Sequence, residues 1–458
     1  MSRPNFLMIT TDHQRADSLS MVQAGREVCP RLNGLAQQST LFSRAYTTCP
    51  LCVPARTALA TGCFPTRTGV EINLTPTRAD TSFVTMHEHL AAAGYTMGHV
   101  GMNHVAVAPE LSERVQWHTW IDHNNHARLL ESHDVPPFGE RFRRPVQLDE
   151  GGQTQQRAYS NTEVGRWDYD VELFRDIYFA DQAAQFLQQV GGEPFALFLN
   201  LWAPHPPLVL PEPYDQLFDP ALVTLPENIN QPAAGEPASW RQGVAAQLAD
   251  GIDEAQWRRV WAAHLGLVAL ADAMIGRVLD ALVDLGCDDD TMVVFCSDHG
   301  DHLGQHTMYQ KMEMYEQAIR VPMLVRLAGQ SALQTVHTPV SHLDLLPTMM
   351  DVLNLPGGRP QDGISLRGAL EGGAAPQRRA VYSQYSGNAG RGSVRRAVIT
   401  EQYKYVHTPD DEPALFDLSN DPLETQNIAN ATAQQQVREA LRADLQVACH
   451  RHQDWASL

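Results

Sequence analysis

Asn5-Phe6-Leu7-Met8-Ile9-Thr10-Thr11-Asp12-His13 is a short apolar run that ends abruptly on two polar residues able to bind a metal. A continuous run of this length fits a strand buried on both faces, the kind found in parallel sheets. The same design recurs in Met292-Val293-Val294-Phe295-Cys296-Ser297-Asp298-His299-Gly300-Asp301. It recurs again where Phe195–Leu201 runs into Trp202-Ala203-Pro204-His205-Pro206-Pro207. Further strands are predicted over Tyr95–Val100 and Val321–Arg326. Amphipathic stretches lie between them, such as Ser82–Ala93 and a long one from Glu254 to Leu285 that stops at Gly286. Strands alternating with helices define an α/β chain: a large, mostly parallel sheet sandwiched by helices.

Working outward, this catalytic α/β domain is predicted to span residues 1–370. The composition changes to a linker at Gly372-Gly373-Ala374-Ala375-Pro376. Short β-like runs follow at Val381–Tyr385, Val394–Thr400 and Tyr403–His407, then a helical run over 433–447. Local hairpins followed by one helix predict a small antiparallel α+β subdomain over 377–458. Asn124–Trp167 reads as a long polar loop bordering the substrate site.

The 458 residues carry a formal net charge of −19, from 53 acidic and 34 basic side chains, which argues against a nucleic-acid partner. An acidic protein that handles an anion needs a local positive site, built from a metal and a few Arg, Lys or His. No run reaches the roughly 18 apolar residues of a membrane helix, so no membrane partner is expected. The N-terminus lacks signal-peptide features, and the expected location is cytoplasmic. Seven cysteines spread along the chain do not form a disulfide framework.

Ligands of open parallel sheets gather at the carboxyl ends of the strands. Asp12 and Asp298 would offer hard oxygen ligands to a divalent cation there, with His13 and His299 as further ligands. A strand-end Asp can also simply cap the next helix; two Asp-His pairs, each directly after an apolar strand, favour the metal. Cys52 stands in Cys49-Pro50-Leu51-Cys52-Val53-Pro54-Ala55-Arg56-Thr57. Its Cys-x-x-Cys spacing allows a redox or zinc reading, but the chain is far larger than a thioredoxin domain and has no second cysteine pair. Pro54 suits the first turn of a helix, Arg56 follows Cys52 by one turn, and Thr61-Gly62 closes the helix. A nucleophile at a positive helix end beside a guanidinium suits attack on a tetrahedral anion.

Here the chain resembles the type I sulfatases and the related phosphonate monoester hydrolases of the alkaline phosphatase superfamily. The family pattern Cys-x-Pro-x-Arg is met by Cys52-Val53-Pro54-Ala55-Arg56. The likeness extends in family order through Pro4-Asn5, Pro204–Pro207, Ser297–Gly300, Gly304-Gln305-His306, Lys311 and Tyr315–Pro322 to Leu415–Leu418 and Asp421–Glu424. It implies that a formylglycine-generating enzyme oxidises Cys52 to Cα-formylglycine, whose hydrate attacks sulfur with one hydroxyl and ejects sulfate with the help of the other. It also implies one divalent metal ion held by Asp12, His13, residue 52, Asp298 and His299: Ca²⁺ by family habit, with Mn²⁺ or Mg²⁺ as alternatives. Arg56 would hold the nucleophile and the carboxylates. Lys311 and His205 would hold the sulfuryl oxygens, one of them assisting the leaving oxygen, and His104 would donate to the anion.

Two positions depart from the family. His13 replaces a second Asp, or the Gln of the phosphonate hydrolase branch, which favours Mn²⁺ or another borderline cation. Met102, in Gly101-Met102-Asn103-His104, replaces a lysine that contacts sulfate. Asn73 resembles a substrate-contacting asparagine of the phosphonate hydrolase branch, with a turn-forming role as its alternative. His123, His126 and His133 are expected to be solvated. The expected partner is a small sulfate ester, of a sugar or of an alkyl or aryl alcohol, with a phosphonate monoester or phosphodiester as the alternative substrate. A non-catalytic anion-binding relative is the reading if Cys52 stays a thiol. A homo-oligomer is compatible with all of these.

Overall fold

The computed structural model describes residues 3–150, 152–190, 192–356, 361–374 and 376–456. Parts of both predicted domain ranges and Ala375 of the linker lie outside them.

In chain order the elements that frame the site are β1 (Asn5–Asp12), β2 (Thr40–Phe42), α1 (Cys52–Thr61) and α2 (Met86–Ala92). Next come β3 (Thr96–Gly101), β4 (Thr119–Asp122), α3 (His123–Ser132), β5 (Arg143–Glu150) and β6 (Gln153–Ser160). α4 (Arg175–Gln189), β7 (Phe195–Pro204), α5 (Glu254–Asp284), β8 (Thr291–Ser297), β9 (Met323–Arg326) and β10 (Gln334–Val336) complete the large layer.

Eight of these strands form one sheet in the order β10-β2-β9-β8-β1-β7-β3-β4. β8, β1, β7, β3 and β4 run parallel, and β9 is antiparallel to both β8 and β2. Alternate residues of β1 enter two separate cores, Leu7 and Ile9 on one face and Phe6 and Met8 on the other. This explains why the strand is apolar throughout: neither face meets water. The long amphipathic stretch folds as α5, its start capped by Asp253, whose Oδ1 accepts from Gln256 N at 2.7 Å.

The small sheet near the C-terminus is antiparallel, ordered β11 (Val381–Tyr385), β12 (Arg395–Ile399), β13 (Tyr403–His407) and β14 (Ala414–Asp417). One face, with Ala397, Ile399 and Phe416, joins the large core; the other, with Val398, Tyr405 and Leu415, packs under α6 (Gln435–Arg451) through Leu441 and Leu445.

Three sequence expectations need correction. Val321–Arg326 is not one strand: Arg320–Val321 pairs with Ala45–Tyr46, and Pro322, which has no N–H to donate, separates it from β9. Asn124–Trp167 is not a loop. It contains most of α3, started by a capping box between Asp122 and Asn125, and the β5–β6 hairpin, paired from Arg143↔Ser160 to Glu150↔Gln153. The hairpin escaped notice because only β5 buries alternate residues, while β6 is exposed over much of its length. His126 is buried rather than solvated, its Nε2 bonded to Leu173 O at 2.9 Å.

Candidate active site

Strand register assembles the site. Thr11 pairs with Ser297, so Asp12 and Asp298 leave the same sheet edge side by side. A break in register between Thr10 and Asp12 brings Asp12 opposite Pro204 and so next to His205. Asn200 pairs with Gly101, where the backbone has φ of +116° and a Cβ would lie 2.0 Å from Asn200 O. Only glycine fits that position, and it sets the turn that carries Met102 and His104.

Cys52 is the first residue of α1, and its N-cap, Leu51, has no side chain to bond the free N–H groups. Asn73 supplies the missing acceptor from a distant loop, its Oδ1 taking the Val53 N–H at 3.1 Å. The Asn73 side-chain carbonyl thus caps the start of α1. The Cys52 Sγ lies 2.5 Å from Lys311 Nζ, 3.4 Å from His299 Nε2 and 3.6 Å from Asp12 Oδ1. In the enzyme read from the sequence, that sulfur stands where the hydroxyl oxygens of the converted side chain would be.

Arg56 is almost fully buried beneath the carboxylates. Its Nε donates to Asp298 Oδ2 at 2.8 Å, one Nη to Asp12 Oδ2 at 3.4 Å and the other to Thr10 Oγ1 at 2.9 Å. Thr10 in turn donates to Asn200 Oδ1 at 2.6 Å. Burial, and then the neighbouring Asp298 charge, push the Asp12 carboxyl up to about 7. Burial would raise Asp298 as well, but His299, Arg56 and Lys311 hold it below the usual carboxylate range. Burial lowers the imidazoles of His13, His205 and His299, keeping them neutral.

The donor set fits a divalent cation. One ligand atom each from Asp12, Cys52, Asp298 and His299 lies within 4.8 Å of the others, all four residues being buried. His299 is 3.0 Å through Nδ1 from Gly300 O, which leaves the Nε2 lone pair facing the cluster. His13 has φ of +69°, is 2.7 Å through Nδ1 from Asp301 Oδ2, and has a buried Nε2 without a hydrogen-bond partner, 3.8 Å from Asp12 Oδ1. His205 bonds Pro206 O through Nδ1, which frees its Nε2, and Asp12, His13 and His205 form a second close group. His104 Nδ1 lies 3.9 Å from Asp12 Oδ2.

Three contributors escaped the sequence reading: Asn200, Asp301 and Trp202. Asn200 was visible as a lone polar residue within an apolar strand, and Asp301 as the next carboxylate after the Asp298-His299 pair. Trp202, whose ring centroid lies 3.8 Å from that of His205, carried no signal beyond its place before a proline-rich turn. Cys49 and Cys52 are both free thiols, so their spacing forms no disulfide.

The carboxyl ends of the parallel strands thus gather two carboxylates, a buried Arg, a Lys and several neutral imidazoles around a helix N-terminus, a donor set able to hold a divalent cation. The chain belongs to the sulfatase family: the sulfatase family model matches residues 4–355. A second model, described as N-sulphoglucosamine sulphohydrolase, C-terminal, matches residues 304–451. The chain is 28% identical over 94% of its length to the multifunctional alkaline phosphatase superfamily protein PehA of Trinickia caryophylli, covering 92% of that protein. It is 29% identical over 93% of its length to a choline-sulfatase of Rhizobium meliloti, covering 82% of it. Among solved structures, the phosphonate monoester hydrolase of Agrobacterium radiobacter shares the fold with a TM-score of 0.81 at 24% identity, over 98% of this chain and 96% of that one.

Proposed function

We propose that the protein is a formylglycine-dependent sulfatase that hydrolyses a sulfate monoester at a nucleophile made from Cys52. The observation that carries this reading is the position of the Cys52 Sγ, enclosed by Lys311, His299 and Asp12 at the start of a helix. A divalent ion held by Asp12, residue 52, Asp298 and His299, with His13 beside them, would supply Lewis-acid charge and ease loss of the nucleophile's proton. Ca²⁺ or Mg²⁺ suits the carboxylates, and the imidazoles tilt the set towards Mn²⁺.

Each residue then has a physical task. Arg56 holds Asp12 and Asp298 in register and balances their charge. Lys311 keeps its proton: burial opposes this, but Cys52, Asp12 and Asp298 raise its affinity, so it offers a cation to the ester oxygens. His205 and His104 line the partly exposed side of the cluster, where a neutral imidazole can donate to or accept from the leaving oxygen. Maturation requires a formylglycine-generating enzyme, and the substrate is a small sulfated sugar, alkyl or aryl ester.

A second reading, a phosphonate monoester or phosphodiester hydrolase using the same residues, is favoured by Met102, which is buried among apolar side chains and brings no cation to the anion. Matched aryl sulfate, phosphonate and phosphodiester esters separate the two. The proposal expects the largest kcat/KM for the sulfate; a phosphodiester value far above it would establish the second reading.

A further inference from the structure

Arg175 is the first residue of the 15-residue helix α4, a place where the helix dipole disfavours a cation. Its Nε is buried without a hydrogen-bond partner, and no carboxylate among the described residues forms an ion pair with it. The adjacent Asp176 is within electrostatic reach but makes no hydrogen bond to the guanidinium, its Oδ1 accepting instead from the backbone N–H groups of Trp202 at 2.7 Å and Ala203 at 3.1 Å. The guanidinium lies instead over the Trp202 ring, its Cζ 4.8 Å from the centroid. Trp202 meets His205 at 3.8 Å between ring centroids and His104 at 6.1 Å. Arg175, Trp202, His205 and His104 are all partly exposed, whereas Asp12, Cys52, Asp298 and His299 are buried. This is the open side of the cluster.

Stacking on Trp202 accounts for the position of the guanidinium plane, but not for a buried Nε left without an acceptor beside a site built for anions. We propose that Trp202 and Arg175 form a leaving-group subsite: the ring of the departing alcohol lies against Trp202, and a carboxylate or second sulfate on it pairs with Arg175. This rests on the sulfatase reading and narrows its substrate class to an alcohol carrying an anionic group about one ring away from the ester oxygen. A quaternary ammonium alcohol is disfavoured, because its charge would face the guanidinium.

The test uses the full-length, converted, metal-loaded protein with 4-(sulfooxy)phenylacetate and its neutral amide, which differ in charge but little in leaving-group chemistry. The carboxylate is expected to exceed the amide in kcat/KM by about ten- to a hundredfold, the worth of one charge-assisted hydrogen-bond pair. Arg175→Gln should bring that ratio close to one, and Arg175→Lys should restore part of it. A ratio near one in the unsubstituted protein, or a fall in both rates that leaves the ratio unchanged, would overturn the proposal. Calorimetric titration with 4-hydroxyphenylacetate and its amide reads the same contrast without turnover. Tighter carboxylate binding with no sulfate-ester hydrolysis would keep the subsite and reject the sulfatase reading; equal affinities would reject the subsite.

Discussion

Replacing Arg56 with Met removes the counter-charge of two buried carboxylates while keeping most of the side-chain volume. Arg56 contacts Asp298 at 2.8 Å and Asp12 at 3.4 Å, with only 3% of its side chain exposed. At an effective dielectric of about 20, a pair of charges about 4 Å apart is worth about 4 kcal/mol. Two such pairs are lost, and recovery of the guanidinium's desolvation cost offsets part of that, leaving a net loss of about 3–5 kcal/mol. The loss depends on pH. In the unsubstituted protein Asp298 is depressed: burial opposes this, but His299 and Arg56 outweigh it, so its contribution is present above the unfolded carboxylate value and lost only in acid. Without Arg56 the folded-state value rises, so the variant's folded state keeps a proton to higher pH than the unsubstituted one, and the deficit grows as pH climbs through that range. Urea unfolding in EDTA, followed by tryptophan fluorescence, should show a midpoint lowered by the free-energy loss divided by the m-value, more at pH 8 than at pH 5.5. Saturating Mn²⁺ should narrow the gap by about 1 kcal/mol or more, because the ion neutralises the same two carboxylates. Equal midpoints in EDTA, or a deficit that metal does not touch, would refute the charge-balancing role of Arg56.

Proton competition at Asp12, pushed up to about 7 first by burial and then by Asp298, should make metal affinity steady above pH 7 and weaker by about tenfold per unit below it; calorimetric titration from pH 5.5 to 8.5 measures this. Asp301→Asn should lower metal affinity by about ten- to a hundredfold. If its single oxygen keeps the Leu303 and Gln310 N–H groups, now 3.0 and 2.9 Å from Asp301 Oδ1, the amide N–H meets His13 Nδ1 and drives the imidazole proton onto Nε2, where it blocks the ion. Titration of that variant with an unchanged dissociation constant would remove the anchoring role of Asp301. Asn73→Ala should cost about 1 kcal/mol of stability by uncapping the Val53 N–H, with rescue by Asp, whose oxygen also accepts.

Much of this was legible in the chain because the sheet is buried on both faces. Asn5–Asp12 and Thr291–Ser297 announce themselves as unbroken apolar runs, and their polar ends fall at one sheet edge by register alone. Arg56 could be placed one helical turn from Cys52 for the same local reason. Long-range pairing was not legible. The Asn73 cap joins residues 20 positions apart, and the Asp301–His13 pair joins residues 288 apart. The hairpin Arg143–Glu150/Gln153–Ser160 lacked a periodic signal because its second strand is exposed over much of its length, so no apolar face marks it. His126 was misjudged because polar neighbours in sequence say nothing about the Leu173 carbonyl that buries it.

The most direct test of the central claim is inorganic sulfate release from 4-nitrophenyl sulfate by protein co-expressed with a formylglycine-generating enzyme, set beside the mass of the peptide containing residue 52. Conversion lowers that mass by about 18 Da. The account predicts turnover that scales with the converted fraction, requires a divalent metal and vanishes in Cys52→Ala. Sulfate release by Cys52→Ala at the unsubstituted rate, or none from fully converted, metal-loaded protein, would contradict it.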